Sequence, residues 1–170
     1  MNIQNRKNMK NKRSNRSTNG KNTEFYIVYT VVFLLIALFL YLRFYLNGKS
    51  LVWSHDGVPQ HLNSLSYYGR YLRGILYTIF VEHRFSIPMW DIHIGYGSDI
   101  LTTLNYYVIG DPLTLLSVFC PSSKTEILYE FLIFLRIYLA GIAFSRYCFY
   151  HKNSRQATFM GCMIYIFAGW

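Results

Sequence analysis

The sequence predicts an all-α integral membrane protein: the N-terminal part of a polytopic helical bundle, with a large outer loop containing interfacial helices. Three observations carry this reading. Phe25 to Leu42 is an 18-residue run without a charge, a second apolar segment runs from about Ile127 to Tyr150, and the basic residues gather at one end of both. A length of 170 residues alone fits one ordinary soluble domain, so the distribution of the 52% hydrophobic content decides the class.

Residues 1–24 hold almost nothing apolar to bury. Asn, Ser, Lys and Arg dominate, and no acid precedes Glu24, so the segment reads as a disordered basic cytoplasmic tail. A basic arm is also a nucleic-acid signature, but directly ahead of a span it serves as an orientation signal, and no nucleic-acid partner is expected. The tail is longer than a secretory n-region and no small-residue cleavage site follows, so 25–46 stays in place as transmembrane helix 1. As a helix it crosses a hydrocarbon core of roughly 30 Å.

Residues 126–150 form transmembrane helix 2, with Arg146, Lys152 and Arg155 around its end and a cytoplasmic loop at 151–156. With the tail inside, ten of the 17 basic residues lie in the tail or around that loop, while seven of the eight acids lie in the outer segment or at the outer end of the second span. Both charge clusters therefore give one topology, a multi-pass plasma-membrane protein with a cytoplasmic N-terminus. Residues 157–170 are apolar to the last position, yet fourteen residues rise only about 21 Å as a helix. They read as the start of a third span, and the chain as the N-terminal part of a longer protein. Cys120, Cys148 and Cys162 fall outside, near the inner face and in the third apolar run, so neither a disulfide nor a structural zinc is expected.

The extracytoplasmic loop, 47–125, holds the candidate chemistry. Over 62–81, Leu62, Leu65, Tyr68, Leu72, Ile75, Leu76 and Ile79 share one helical face and Asn63, Ser66, Arg70 and Arg73 the other. That segregation describes a helix lying in the membrane interface. A tilted extra span is the rival reading, opposed by the cost of Arg70 and Arg73 in hydrocarbon. Pro88, Gly95, Gly97, Gly110 and Pro112 then punctuate a region of turns, and 113–119 is apolar but far too short to span, hence interfacial or re-entrant. G-Y-G at 95–97 lacks the strand and third glycine of a nucleotide loop, and its role is backbone freedom.

W-S-H-D-G-V-P-Q (53–60) after the first span, I-P-M-W-D-I-H-I-G-Y-G-S-D (87–99) and Y-Y-V-I-G-D-P-L-T-L-L (106–116) before the second resemble the N-terminal part of bacterial YfhO-type membrane proteins. The resemblance covers roughly residues 25–170. It implies a GT-C-like polytopic bundle that transfers a sugar from a polyprenyl-phosphate-linked donor to a cell-envelope acceptor, a polymer or lipid. Membrane lipids are the other expected partners.

By position, the resemblance makes Asp56 the catalytic base, and a carboxylate within reach of an acceptor hydroxyl suits that role. D-G is also a common turn pair. His55 and Gln60 are candidates for proton relay and for a sugar hydroxyl. Arg70 and Arg73, with Arg84, suit a donor phosphate or lipid headgroups. Asp99 and Asp111, with Asp91, are the remaining loop aspartates; some GT-C enzymes hold a divalent metal, yet no D-x-D motif gathers carboxylates here, and no cofactor is assigned. Asp111 before Pro112 also reads as a turn initiator. Trp53, Trp90, Tyr106 and Tyr107 offer stacking surfaces for sugar or lipid, or form an interfacial belt. Arg136, inside the second span, marks an interior polar site or pairs with a group such as Glu130. A transporter and a noncatalytic assembly or anchoring protein are the alternative functions; a transporter places its polar groups at mid-membrane and often shows repeats, and none is seen here.

The topology is checked by cysteine labelling. Impermeant maleimide added outside intact cells is expected to modify Asp56→Cys and Asp99→Cys but not Lys12→Cys, and modification at residue 12 overturns the orientation.

Overall fold

The structure is a computed structural model that describes residues 3–168, with side chains from Thr23 onward. In chain order it contains α1 (Ile3–Leu46), α2 (Asn63–Phe80), a short hairpin of β1 (Trp90–Asp91) and β2 (Ser98–Asp99), α3 (Ile100–Leu104), α4 (Thr125–Tyr150) and α5 (Arg155–Phe167). π-Helical turns occupy Gly57–Leu62 and Asn105–Ile109, and 3-10 turns occupy Pro112–Phe119 and Ser122–Lys124. Two helical stretches, Thr23–Leu46 and Ser122–Tyr150, are long and apolar enough to cross a membrane. Where the sequence expects an unordered tail over 1–24, the backbone is helical from Ile3, an extension that adds one hydrogen bond per residue to an existing helix. The side chains of residues 1–22 lie outside the described residues.

The chain divides into two compact units, Met1–Leu46 with Arg136–Trp170, and Asn47–Leu135. In the first, α1 buries Phe25, Tyr29, Phe33 and Ala37, a seam at four-residue spacing, while Ile27, Val31, Leu34, Leu35 and Leu38 stay exposed. A single buried stripe on an otherwise apolar surface is the pattern of a helix with one protein neighbour and lipid elsewhere. Polar groups along the seam are paired: the Tyr29 hydroxyl donates to the Tyr138 carbonyl at 2.9 Å, and Thr30 Oγ1 meets the Tyr138 hydroxyl at 2.9 Å. Gly141 leaves the space that the Tyr29 ring enters. In α5, the Ser154 side chain caps the helix by accepting the Ala157 N–H.

The second unit holds the loop chemistry. Leu65 and Tyr68 of α2 pack with Ile100, Leu104, Val108 and Leu132 in one cluster, Leu65 at 2% exposure. The apolar face that the sequence assigns to a lipid interface is thus covered along its N-terminal half by the loop's own short helices, while Leu76, Tyr77 and Phe80 remain exposed. Amphipathicity specifies an apolar neighbour without saying whether it is lipid or protein. The short 113–119 segment becomes a 3-10 turn against α2. Contact is closest at Gly69, where a Cβ would stand 2.7 Å from the Ser117 carbonyl oxygen. Arg73, one turn on, donates from Nη1 to the carbonyls of Ser117 at 2.9 Å and Cys120 at 2.6 Å. These carbonyls end a helical turn and have no donors within it.

Gly69 and Gly74 of α2 therefore carry opposite expectations. Gly69→Ala forces the Ser117 backbone to move and is expected to lower stability by about 1–3 kcal/mol, whereas a Cβ at Gly74 meets nothing within 4 Å and Gly74→Ala is expected to raise it by up to about 1 kcal/mol. Thermal unfolding of the two variants in detergent checks the contrast.

Candidate functional site

Two side-chain groups stand out in the Asn47–Leu135 unit. The first is built on W-S-H-D-G-V-P-Q. Asp56 sits in the helical backbone region ahead of the Gly57–Leu62 turn, and its carbonyl accepts the N–H groups of Gln60 and His61, both at 3.1 Å. The turn brings the Gln60 side chain back onto the Asp56 carboxylate, where Nε2 donates to Oδ1 at 3.2 Å. The other end of that amide, Oε1, accepts the Tyr107 hydroxyl at 2.8 Å. Because a hydroxyl can donate to the amide oxygen but the amide nitrogen cannot accept, Tyr107 fixes which way Gln60 faces. The His61 ring packs edge-on to Tyr107, with centroids 5.2 Å apart. Asp56, His55 and Gln60 are all solvent-exposed, and His55 stacks on Trp53 at 5.7 Å. The stretch is pinned upstream by Glu130 of α4, a carboxylate only 9% exposed that accepts the Leu51 N–H at 2.9 Å. The sequence offered Glu130 to Arg136; it is the start of the loop that uses it.

The second group lies further along α2. The Tyr67 hydroxyl donates to Asp91 Oδ2, while Asp91 Oδ1 accepts both the N–H and the Nδ1 of His93 at 2.8 Å. These donors, Tyr67 first, hold the Asp91 carboxyl down to about 2. The Tyr67 hydroxyl is correspondingly raised, by burial and then by its bond to Asp91. Tyr71 bonds the Pro88 carbonyl at 2.9 Å, so two tyrosines one turn apart tie α2 to β1. Gly95 and Gly97 adopt φ of +62° and +107°, and a Cβ at Gly97 would come within 2.9 Å of the Trp90 indole. G-Y-G thus supplies the backbone freedom expected of it and also makes room for Trp90. Between α2 and β1 lies a cleft of about 380 Å³ bordered by Tyr67, Arg70, Tyr71, Trp90 and Asp91.

The remaining sequence candidates are distributed differently. Arg70 lies over the Tyr67 ring, 6.0 Å from its centroid, and faces the cleft. Arg73 directs Nη1 to backbone carbonyls, a use that its place on a polar helix face does not reveal. Asp99 caps α3, with Oδ1 accepting the N–H and hydroxyl of Thr102 at 2.7 Å, and these bonds lower its pKa. Asp111 caps the Pro112–Phe119 turn through the Leu113 N–H at 2.8 Å. Among the described residues no three His, Cys, Asp or Glu side chains gather around a common point, so the loop aspartates do not fit a divalent metal held between them. Tyr107 and Tyr67, which complete the two groups, carried no chemical signal of their own in the sequence.

Two membrane-length helices and a polar, aromatic segment between them define a helical membrane protein with its chemistry outside the spans. The family model for the bacterial membrane protein YfhO matches residues 28–170. The chain belongs to that family. No curated protein and no solved structure matches it.

The low Asp91 pKa has a pH consequence. A carboxylate whose folded pKa is depressed stabilises the fold above its unfolded value, near 3.9, and that contribution disappears as pH falls towards the folded value. Asp91→Asn is expected to lower the Tm at pH 7, and the gap to wild type is expected to narrow between about pH 4 and pH 2. Melting curves across that range read it directly.

Proposed function

We propose that this chain is part of a GT-C-type membrane glycosyltransferase, moving a sugar from a polyprenyl-phosphate donor to a cell-envelope polymer or lipid at the outer face of the plasma membrane, with Asp56 as the base. The observation that carries this is the hydrogen-bond series Tyr107 to Gln60 to Asp56, at 2.8 and 3.2 Å. An exposed carboxylate needed only for a turn gains little from an oriented amide. One meant to take a proton gains a fixed direction for its remaining lone pairs, because Gln60 occupies Oδ1 and leaves Oδ2 to an incoming hydroxyl.

In this reading, the acceptor hydroxyl donates to Asp56 as its oxygen closes on the anomeric carbon. The new C–O bond forms while the bond from that carbon to the lipid phosphate breaks. The phosphate leaves with the electron pair, and the proton ends on Asp56. Gln60 keeps the carboxylate in place, and its amide oxygen is held by Tyr107, so neither needs to react. The membrane placement supports the reading because a polyprenyl donor is confined to the bilayer and must meet its base near the surface.

The test uses cells lacking the native copy, complemented with wild type, Asp56→Ala or Tyr107→Phe at equal membrane level. Envelope sugar transfer is expected to fall by about 100-fold or more in Asp56→Ala, the usual contribution of a general base, and by about ten-fold in Tyr107→Phe, which loses one hydrogen bond of about 1.4 kcal/mol. Wild-type sugar content in Asp56→Ala sinks the catalytic assignment.

A further inference from the structure

The cleft between α2 and β1 has a composition that Asp56 chemistry does not explain. Its walls combine aromatic surface from Tyr67, Tyr71 and Trp90 with one cation, Arg70, and one anion, Asp91. Trp90 is 63% exposed although Gly97 is shaped to admit its indole. The Asp91 carboxylate is fixed by Tyr67 and His93 and stays ionised at any ordinary pH.

Gly74 is the second, independent observation. It lies within α2 and borders the cleft, and a Cβ there meets nothing within 4 Å. A glycine inside a helix is less stable than alanine by about a factor of four to five, and at Gly69 the tight approach of Ser117 accounts for the choice. At Gly74 no protein atom does. A bare stretch of backbone on the floor of an aromatic cleft is what a ligand that lies flat on the helix requires.

The charges narrow the ligand. A net anion is repelled by Asp91, and a net cation by Arg70, which already covers the Tyr67 ring face. A neutral pyranose suits both, since its C–H face stacks on an indole while its hydroxyls donate to a carboxylate and accept from a guanidinium. We propose that this cleft is a saccharide subsite, holding a neutral sugar ring on Trp90 between Asp91 and Arg70, with Gly74 as its floor. The identity of the ring as a unit of the envelope glycan rests on the transferase reading; the binding itself does not.

The site lies about ten residues along α2 from Gln60, roughly 15 Å at 1.5 Å per residue. It therefore takes a sugar other than the one reacting at Asp56, as an extended glycan would supply.

The experiment measures binding without turnover. The full chain in detergent, with Trp53→Phe and Trp170→Phe leaving Trp90 as the only indole, is titrated with maltotriose, chitotriose, mannotriose and galactotriose, and separately with glycerol phosphate and phosphocholine. At least one trisaccharide is expected to give a saturable change in Trp90 emission. Asp91→Asn and Gly74→Leu are each expected to weaken it by about ten-fold or more, while Gly74→Leu keeps the wild-type Tm. Asp56→Ala is expected to bind as wild type, so loss of transfer activity and loss of this site are read separately. The proposal is overturned if none of the four trisaccharides binds at up to about 10 mM, if Asp91→Asn and Gly74→Leu both bind them as wild type does, or if only glycerol phosphate or phosphocholine binds.

Discussion

The extramembrane unit depends on the contact between α2 and the Pro112–Phe119 turn. That turn ends with carbonyls that point away from any helical donor, and in a largely apolar setting each unpaired carbonyl is costly. Arg73 meets them from the neighbouring helix with a charged donor, and the backbones can come this close because Gly69 has no side chain. Once α2 is fixed there, its register is fixed everywhere. Leu65 and Tyr68 are directed into the cluster with Ile100, Leu104 and Val108, the preceding turn carries Asp56 and Gln60 towards Tyr107, and Tyr67 and Tyr71 reach the hairpin. One arginine–carbonyl junction thus serves both groups of functional side chains.

The same logic, with different chemistry, holds the membrane-length helices. An apolar helix gains little from burying leucine against leucine when lipid is the alternative, so packing has to come from shape and from paired polar groups. The α1 seam uses both. Tyr29 inserts its ring where Gly141 leaves space, and donates to the Tyr138 carbonyl, while Thr30 and Tyr138 share a hydrogen bond. Leu34, Leu35 and Leu38, more hydrophobic than any of these, stay exposed. Such an assignment of roles makes sense only in a bilayer.

These patterns mark what a sequence can disclose. Span length and charge asymmetry are one-dimensional quantities, and α1 and α4 were legible from them. Asp56 and Gln60 were legible too, being four residues apart in a turn that joins them. Tyr107 was not, because its bond to Gln60 closes a gap of 47 residues, and Tyr67 to Asp91 closes one of 24. Arg73 was misleading for a related reason: the polar face of an amphipathic helix shows which residues avoid hydrocarbon, but a carbonyl, a phosphate and water all satisfy a guanidinium. Asp99 and Asp111 likewise looked available because N-cap duty leaves only the weak mark of a following helix. The closest thing to an early signal was D-I-H at 91–93, where a carboxylate two residues before a histidine can close an Asx-type turn.

A rigid α2 also bears on how two groups on one helix divide their work. Asp56 with Gln60 sits at the helix entry and has side chains reaching solvent, whereas Tyr67, Arg70 and Asp91 border an aromatic cleft three turns on. A helix of this length holds the two at a separation that thermal motion changes little, since compressing it breaks backbone hydrogen bonds. A single small substrate cannot touch both ends of a 15 Å interval. A chain of linked sugars can, and gripping it at a distance adds binding energy without crowding the reacting carbon, which is how remote contacts hold a reactant in line. The separation, more than either group alone, therefore favours an extended glycan over a lone headgroup as what this face of the protein is shaped to meet.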